Sequence, residues 1–201
     1  LPLNNGPEYY LYNPLAIKGS AYLGDTTFVN GNVYYDGAEY NDIPLLYDIY
    51  KDQLISVLDD KTSKYVLLNE RVKQFDLQQQ HFINIDADTL NNNTVIKTGY
   101  YDQLYKGRLE ILSKKYKKIE NYTSTTGAQE AYSFFTDTKE DFFIEKNNVY
   151  YKVTGKSSLL NILKDKRREL QQYISANKIK FNKAPGQALV SIATYYDHIT
   201  N

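Results

Sequence analysis

The chain has 201 residues, a length that suits one large domain and allows a core to form without disulfides or metals. Its Lys and Arg number 24 and its Asp and Glu 24, so it lacks the basic excess of a nucleic-acid binder. Its 42% hydrophobic content lies far above the disordered range, and no apolar run approaches the ~18 residues that cross a bilayer.

The aromatic content points to a sheet. There are 21 Tyr and 8 Phe but no Trp, and tyrosine favours strands with one covered and one wet face. Residues 1–24 carry Pro2, Gly6, Pro7, Pro14, Gly19 and Gly24 between Tyr9, Tyr10 and Tyr12, which forbids a helix. They predict an extended arm laid over the body by its tyrosines.

Strand signals begin after residue 24. Asn30-Gly31 stands between the strand-forming runs Phe28-Val29 and Val33-Tyr34-Tyr35 and predicts a tight hairpin, and Asp36-Gly37 predicts a second. Ile43, Leu45, Tyr47 and Ile49 alternate as a further strand, with Pro44 marking an edge, a start or a bulge. Short strands follow at 54–58, 65–68, 72–77 and 82–85, joined by links too brief for parallel crossovers, such as Asp59-Asp60-Lys61-Thr62-Ser63. This spacing predicts a meander. Beyond a polar loop at 86–94, with Asn91, Asn92 and Asn93 at its tip, come strands at 99–106 and 108–118, hinged at Gly107. A Ser/Thr-rich loop at 121–127 leads to a strand at 132–144, broken near Asp137. Asn147-Asn148 then turns the chain into a strand at 149–153.

The period changes to helical after Gly155. Ser157 or Ser158 can cap a short helix through Leu159, Leu160, Ile162 and Leu163, and Asp165 a second with Leu170, Tyr173 and Ile174 on one face. Ala188, Leu189, Ile192, Ala193, Tyr196 and Ile199 repeat at helical spacing after Pro185-Gly186.

Most catalytic chemistry lacks its residues. With His81 and His198 the only histidines and no Cys, a structural zinc site and a thiol nucleophile are ruled out, and no Gly-x-Ser-x-Gly turn occurs. Asp86-Ala87-Asp88 opens like a calcium loop, but Leu90 and Asn91 stand where an oxygen ligand and a glycine are needed. Gly19 to Gly24 lacks the Lys of a phosphate-binding loop. The acidic candidates for sugar chemistry are Asp48 and Asp52, which flank Tyr50, and Asp102 among Tyr100, Tyr101 and Tyr105. Lys114-Lys115-Tyr116-Lys117-Lys118 reads as a solvated edge strand, with an anionic lipid or polysaccharide contact as the alternative.

The stretches Gly19-Ser20-Ala21-Tyr22-Leu23, Pro44-Leu45-Leu46-Tyr47-Asp48-Ile49-Tyr50 and Gly99-Tyr100-Tyr101-Asp102-Gln103-Leu104-Tyr105-Lys106-Gly107 lie ahead of closing helices that follow Tyr150-Tyr151-Lys152. Together they resemble a family of uncharacterised exported β-rich proteins of Bacteroidota-type bacteria, over about residues 19–199. The resemblance implies a periplasmic or outer-membrane-associated location and carries over no catalytic residue. Asp25-Thr26-Thr27 and Asp88-Thr89-Leu90 resemble the short O-glycosylation acceptors of such bacteria. Two features agree with export: the chain holds no Cys, and it begins at Leu1-Pro2-Leu3 without Met, as a mature form does after losing its signal segment.

The sequence therefore predicts a single α+β, mainly β domain over 1–201. It comprises an arm at 1–24, an antiparallel meander at 25–156 forming a curved sheet or open barrel of roughly eight to ten strands, and two to three helices at 157–201. It assigns no catalytic, cofactor-binding or metal-ligating residue and expects no cofactor, nucleic acid or transmembrane segment. The favoured function is a non-enzymatic interaction or structural component of the cell envelope with an envelope protein partner. A binding module holding a lipid or glycan in the curved sheet is the alternative, and a carbohydrate-active enzyme is a third possibility.

Overall fold

A computed structural model describes residues 3, 5–57, 63–90, 95–124 and 131–200. The predicted tips Asp59 to Thr62 and Asn91 to Asn93, and part of the Ser/Thr-rich loop, lie outside the described residues. In chain order the first strands are β1 (Ile17–Lys18), β2 (Val29–Tyr35), β3 (Ala38–Asp48), β4 (Gln53–Val57), β5 (Lys64–Val66), β6 (Val72–Leu77) and β7 (Gln80–Ile85). Then come β8 (Gly99–Lys106), β9 (Glu110–Tyr116), β10 (Ile119–Thr123), β11 (Ala131–Phe135), β12 (Lys139–Lys146) and β13 (Val149–Val153). Three helices close the chain: α1 (Lys156–Ile162), α2 (Arg167–Ala176) and α3 (Pro185–Thr200). The protein is mainly β, its large sheet is antiparallel and not closed into a barrel, and a helix stands at the C-terminus. Among the described residues, no helix is long and apolar enough to cross a membrane.

Two compact units emerge, Leu1–Asn84 with Lys115–Lys139, and Ile85–Lys114 with Glu140–Asn201. In the first, strands run in the order β7-β6-β2-β3-β4-β5. The chain therefore meanders from β2 to β5, but β6 returns beside β2 rather than β5, which corrects the plain meander. In a flat sheet β5 and β6 would stand about 19 Å apart. Residues 67–71, coiled through a 3₁₀ turn at Asn69–Arg71, join them, so the sheet curves strongly. Irregularities between Gly31 and Val33 and between Tyr34 and Tyr35 supply the bend.

The predicted Asn30-Gly31 hairpin is not formed; β2 continues through it, with a register shift between Gly31 and Val33. Gly31 serves a close approach instead, since a Cβ there would lie 2.3 Å from the Asp76 carbonyl oxygen. Asn32 Oδ1 accepts from Asp42 N–H at 3.1 Å and Asn30 Nδ2 donates to Asp42 Oδ1 at 2.8 Å, stapling the irregularity to β3. Pro44 lies inside β3, one residue beyond the end of the β4 ladder, where its missing N–H costs no ladder bond there. Tyr47, Phe75 and Phe82 pack within 5.4 Å of one another on the face of the sheet that carries buried Leu45 and Leu54, while Leu46 and Ile55 pack with Tyr9, Tyr22 and Val66 on the other. The N-terminal segment docks on β5 through its main chain: Val66 N–H donates to Pro7 O at 3.0 Å and Tyr9 N–H to Lys64 O at 2.7 Å, covering the β5 edge. A small sheet, β1-β11-β10, occupies part of the expected 121–127 loop and pairs β1 with β11 in parallel.

In the second unit the strand order is β13-β12-β9-β8. Asn147 and Asn148 make the β12–β13 turn with φ of 56° and 63°. Apolar residues of β9, β12 and β13 pack with Leu159 of α1 and Leu163 just after it, Leu170 and Ile174 of α2, and Leu189, Ile192 and Ala193 of α3. The first cap is Gly155, not Ser157 or Ser158. Ser158 Oγ accepts from the N–H groups of Thr154 and Gly155 at 2.9 and 3.1 Å, from inside the first turn. Asp165 does not cap α2 either; a 3₁₀ turn, Lys164–Lys166, intervenes and frees its carboxylate for other partners. Pro185 and Gly186 begin α3 rather than precede it, Pro taking the first position where its missing N–H is harmless. Near the other end of α3, Asp197 Oδ2 accepts from Tyr105 O–H and Arg108 N–H, both at 2.9 Å. A Cβ at Gly107 would stand 2.0 Å from that oxygen, so the hinge glycine is there for space.

Candidate functional site

Asp48, the last residue of β3, is fully buried. Its Oδ2 accepts from Tyr9 O–H at 2.7 Å and Tyr12 O–H at 2.8 Å, and its Oδ1 from the N–H groups of Tyr50 and Lys51 at 2.9 and 2.8 Å. The Tyr22 hydroxyl lies 3.3 Å from that of Tyr9, and Tyr12 packs edge-on against Phe135 at 5.0 Å. Lys51 Nζ stands 5.0 Å over the Tyr12 ring. Burial, then the bonds to Tyr22 and Asp48, pushes the Tyr9 hydroxyl far above its ordinary ionisation range; burial and Asp48 do the same for Tyr12. Both hydroxyls stay protonated donors. The sequence had marked Asp48 for sugar chemistry, but four satisfied hydrogen bonds make it the anchor of the N-terminal arm.

The other residues singled out by sequence take structural posts as well. Asp52 Oδ1 accepts from Tyr47 O–H at 2.5 Å, and Asp102 is buried in β8. His81 Nδ1 lies 2.6 Å from Asp76 Oδ1 on the exposed β6–β7 hairpin, and His198 sits in the last turn of α3. Asp86 Oδ1 accepts from Asp88 N–H at 3.1 Å and so closes a 3₁₀ turn, with Thr89 Oγ1 donating to Asp86 O at 2.7 Å. No group of three or more His, Cys, Asp or Glu among the described residues is arranged to hold a metal ion. The lysine run is not an edge: β9 lies between β8 and β12. Lys114 Nζ donates to Tyr100 O at 2.8 Å and Lys117 Nζ to Ser20 O at 2.6 Å; burial pushes the Lys117 ammonium down.

The cleft that sequence reasoning missed lies in the second unit, between the open end of the β12–β13 hairpin and the start of α3. It encloses about 580 Å³. Phe142, Val153, Phe181, Pro185 and Leu189 wall it, and Asp141 and Lys152 line it, with Lys152 Nζ 2.7 Å from Asp141 Oδ2. A neighbouring groove of about 490 Å³ shares Glu140 and runs along Leu104, Gly186 and Val190. Gly186 permits close seating of α3, since a Cβ there would meet Leu104 Cδ1 at 3.2 Å and Phe142 Cε1 at 3.3 Å. No local signal could have shown this cleft, because its hairpin walls, Phe142 and Val153, meet Phe181, Pro185 and Leu189 from a distant part of the chain.

The two acids at the cleft do not converge. Glu140 and Asp141 are neighbours on one strand, so their side chains leave opposite faces, and Asp141 is already neutralised by Lys152. The cleft thus combines apolar walls with the Asp141–Lys152 ion pair.

Beside the helices, Asp165 carries an electrostatic device. Lys146 Nζ lies 2.6 Å from Asp165 Oδ1, and Tyr196 O–H donates to Oδ2 at 2.7 Å. Burial opposes ionisation of the carboxyl, but the Lys146 and Tyr196 hydrogen bonds outweigh it and hold Asp165 below its ordinary value. A carboxyl depressed in the folded state stabilises above its unfolded value, about pH 4, and loses that contribution as pH falls further. Asp165→Asn is therefore expected to flatten the acid limb of a stability-against-pH curve between about pH 5 and 3, read by urea unfolding at each pH.

Comparison with known protein families, curated proteins and solved structures finds no match.

Proposed function

We propose that the chain is a non-enzymatic interaction component of the cell envelope that seats a protein partner in the cleft between the β12–β13 hairpin and the start of α3. The cleft itself carries this reading: apolar walls from a strand, a loop and a helix, with the Asp141–Lys152 ion pair beside them. Its size suits several side chains of a partner rather than a water cluster. The envelope location rests on the cysteine-free, tyrosine-rich composition and on the family resemblance. The alternative, a module holding a lipid or glycan in the curved sheet, has less support, since Tyr47, Phe75 and Phe82 pack against one another on one face of that sheet.

The test is affinity purification of the tagged protein from native envelopes, with Asn182→Trp as the comparison. Asn182 is exposed and lines the cleft, so an indole there blocks it without touching the core. A stoichiometric partner that falls at least about tenfold, or 1.4 kcal/mol, with Asn182→Trp is the expected result. A partner retained in full by Asn182→Trp, at unchanged thermal stability, would remove the cleft from the account.

A further inference from the structure

β13 is the outermost strand of its sheet, and its register shows which main-chain groups are free. The two-residue Asn147-Asn148 turn makes Lys146 and Val149 a hydrogen-bonded pair, so alternation makes Ile144–Tyr151 and Phe142–Val153 bonded pairs too. Tyr150 and Lys152 fall opposite Glu145 and Phe143 at the non-bonded positions, and their N–H and C=O groups point away from β12. Among the described residues these groups have no main-chain partner. The outer strand of the first unit differs, since the chain's own arm covers β5 through Pro7 and Tyr9.

The segment that begins with this strand is distinguished by charge as well. The chain is neutral overall, yet residues 149–201 hold nine Lys and Arg against three Asp and Glu. Lys156, Lys164, Arg168, Lys178, Lys180 and Lys183 are all exposed and make no ion pair among the described residues. Exposed Val149 and Tyr151 offer apolar grip along the strand. Its end, Lys152 to Gly155, is itself a wall of the cleft.

We propose that β13 accepts an extended acidic peptide as an added strand, with one end of that peptide entering the cleft. This rests on the reading of the cleft as a partner seat and names the partner's chemistry. Main-chain pairing supplies the affinity, the cleft selects a side chain, and the cations select carboxylates.

The experiment uses a capped ten-residue peptide alternating Asp and Val, and its counterpart with Lys for Asp. Amide hydrogen exchange is followed by NMR on the whole chain. Saturating acidic peptide is expected to slow exchange at Tyr150 and Lys152 at least about tenfold, and the lysine peptide to leave both unchanged. Lys152→Pro removes an outward donor without a ladder bond; it should weaken binding at least tenfold, while Lys152→Ala, which loses only the ion pair, should not. Acidic peptide binding without protection of these amides overturns strand addition. Equal protection by the lysine peptide, or equal competition by anionic phospholipid vesicles or duplex DNA, overturns the acidic-peptide assignment. If the envelope partner binds Lys152→Pro at full strength but is lost from Asn182→Trp, strand addition fails and the cleft stands. If Asn182→Trp keeps the partner, the cleft reading itself fails.

Discussion

Asp48→Ala is expected to cost about 3–5 kcal/mol of folding stability, measured as the shift in urea unfolding at unchanged m-value. The carboxylate is fully buried and accepts four hydrogen bonds, so its removal strands two tyrosine hydroxyls and two backbone N–H groups away from water. Asp48→Asn separates charge from shape. The tyrosine hydroxyls can rotate to accept from an amide, whereas the N–H groups of Tyr50 and Lys51 cannot. The amide nitrogen therefore takes the tyrosine side, and roughly half of the loss is expected. Tyr10→Phe is the control: Tyr10 is exposed and its hydroxyl donates to Glu8, and its loss should leave the urea midpoint unchanged. An Asp48→Ala protein within 1 kcal/mol of the parent would mean that the arm is not anchored through this residue.

Asp48 also shows what a sequence can and cannot carry. Its neighbourhood was legible, since an arm rich in tyrosine and proline and a strand alternating through Ile43, Leu45, Tyr47 and Ile49 could both be read directly. Their convergence was not, because Tyr9 and Asp48 are 39 residues apart. Local turn chemistry predicted the Asp36-Gly37 and Asn147-Asn148 turns, whose residues take positive φ. The same chemistry misled at Asn30-Gly31, where the glycine answers to Asp76 on another strand. The helix periods at Leu170, Ile174 and Ile192 were read correctly because burial follows the repeat. The caps were misplaced because Ser158 and Asp165 have competing partners that no local pattern reveals. Overall neutrality concealed the most informative charge feature, a basic C-terminal segment balanced by acids elsewhere in the chain. The cleft needed three dimensions, since its walls come from the 140s, the 150s and the 180s.

Ile192→Ala is expected to cost about 2–5 kcal/mol, the range for truncating a fully buried aliphatic side chain. Ile192 has no exposed surface and belongs to the cluster that unites Leu109, Ile111 and Ile144 of the sheet side with Leu163 and Leu170 beside and within α2. Ile192→Val deletes one methylene and should cost about 0.5–1.5 kcal/mol, so the two variants together measure how far the surroundings can collapse. Leu15→Ala makes a matched comparison, since Leu15 is 95% exposed in the arm and its truncation should change stability by less than about 0.5 kcal/mol. The position also links stability to the proposed function. Leu189, one turn before Ile192 on α3, lies in the same core cluster and lines the cleft, so the packing that holds the helix also shapes the seat. Ile192→Ala should therefore weaken capture of the partner as well as lower the unfolding midpoint, whereas Ile192→Val should retain capture. If Ile192→Ala lowers stability by the expected amount and still captures the partner at the parent level, the cleft keeps its form without that helix packing. The seat would then be set by the β12–β13 hairpin and the 179–184 loop.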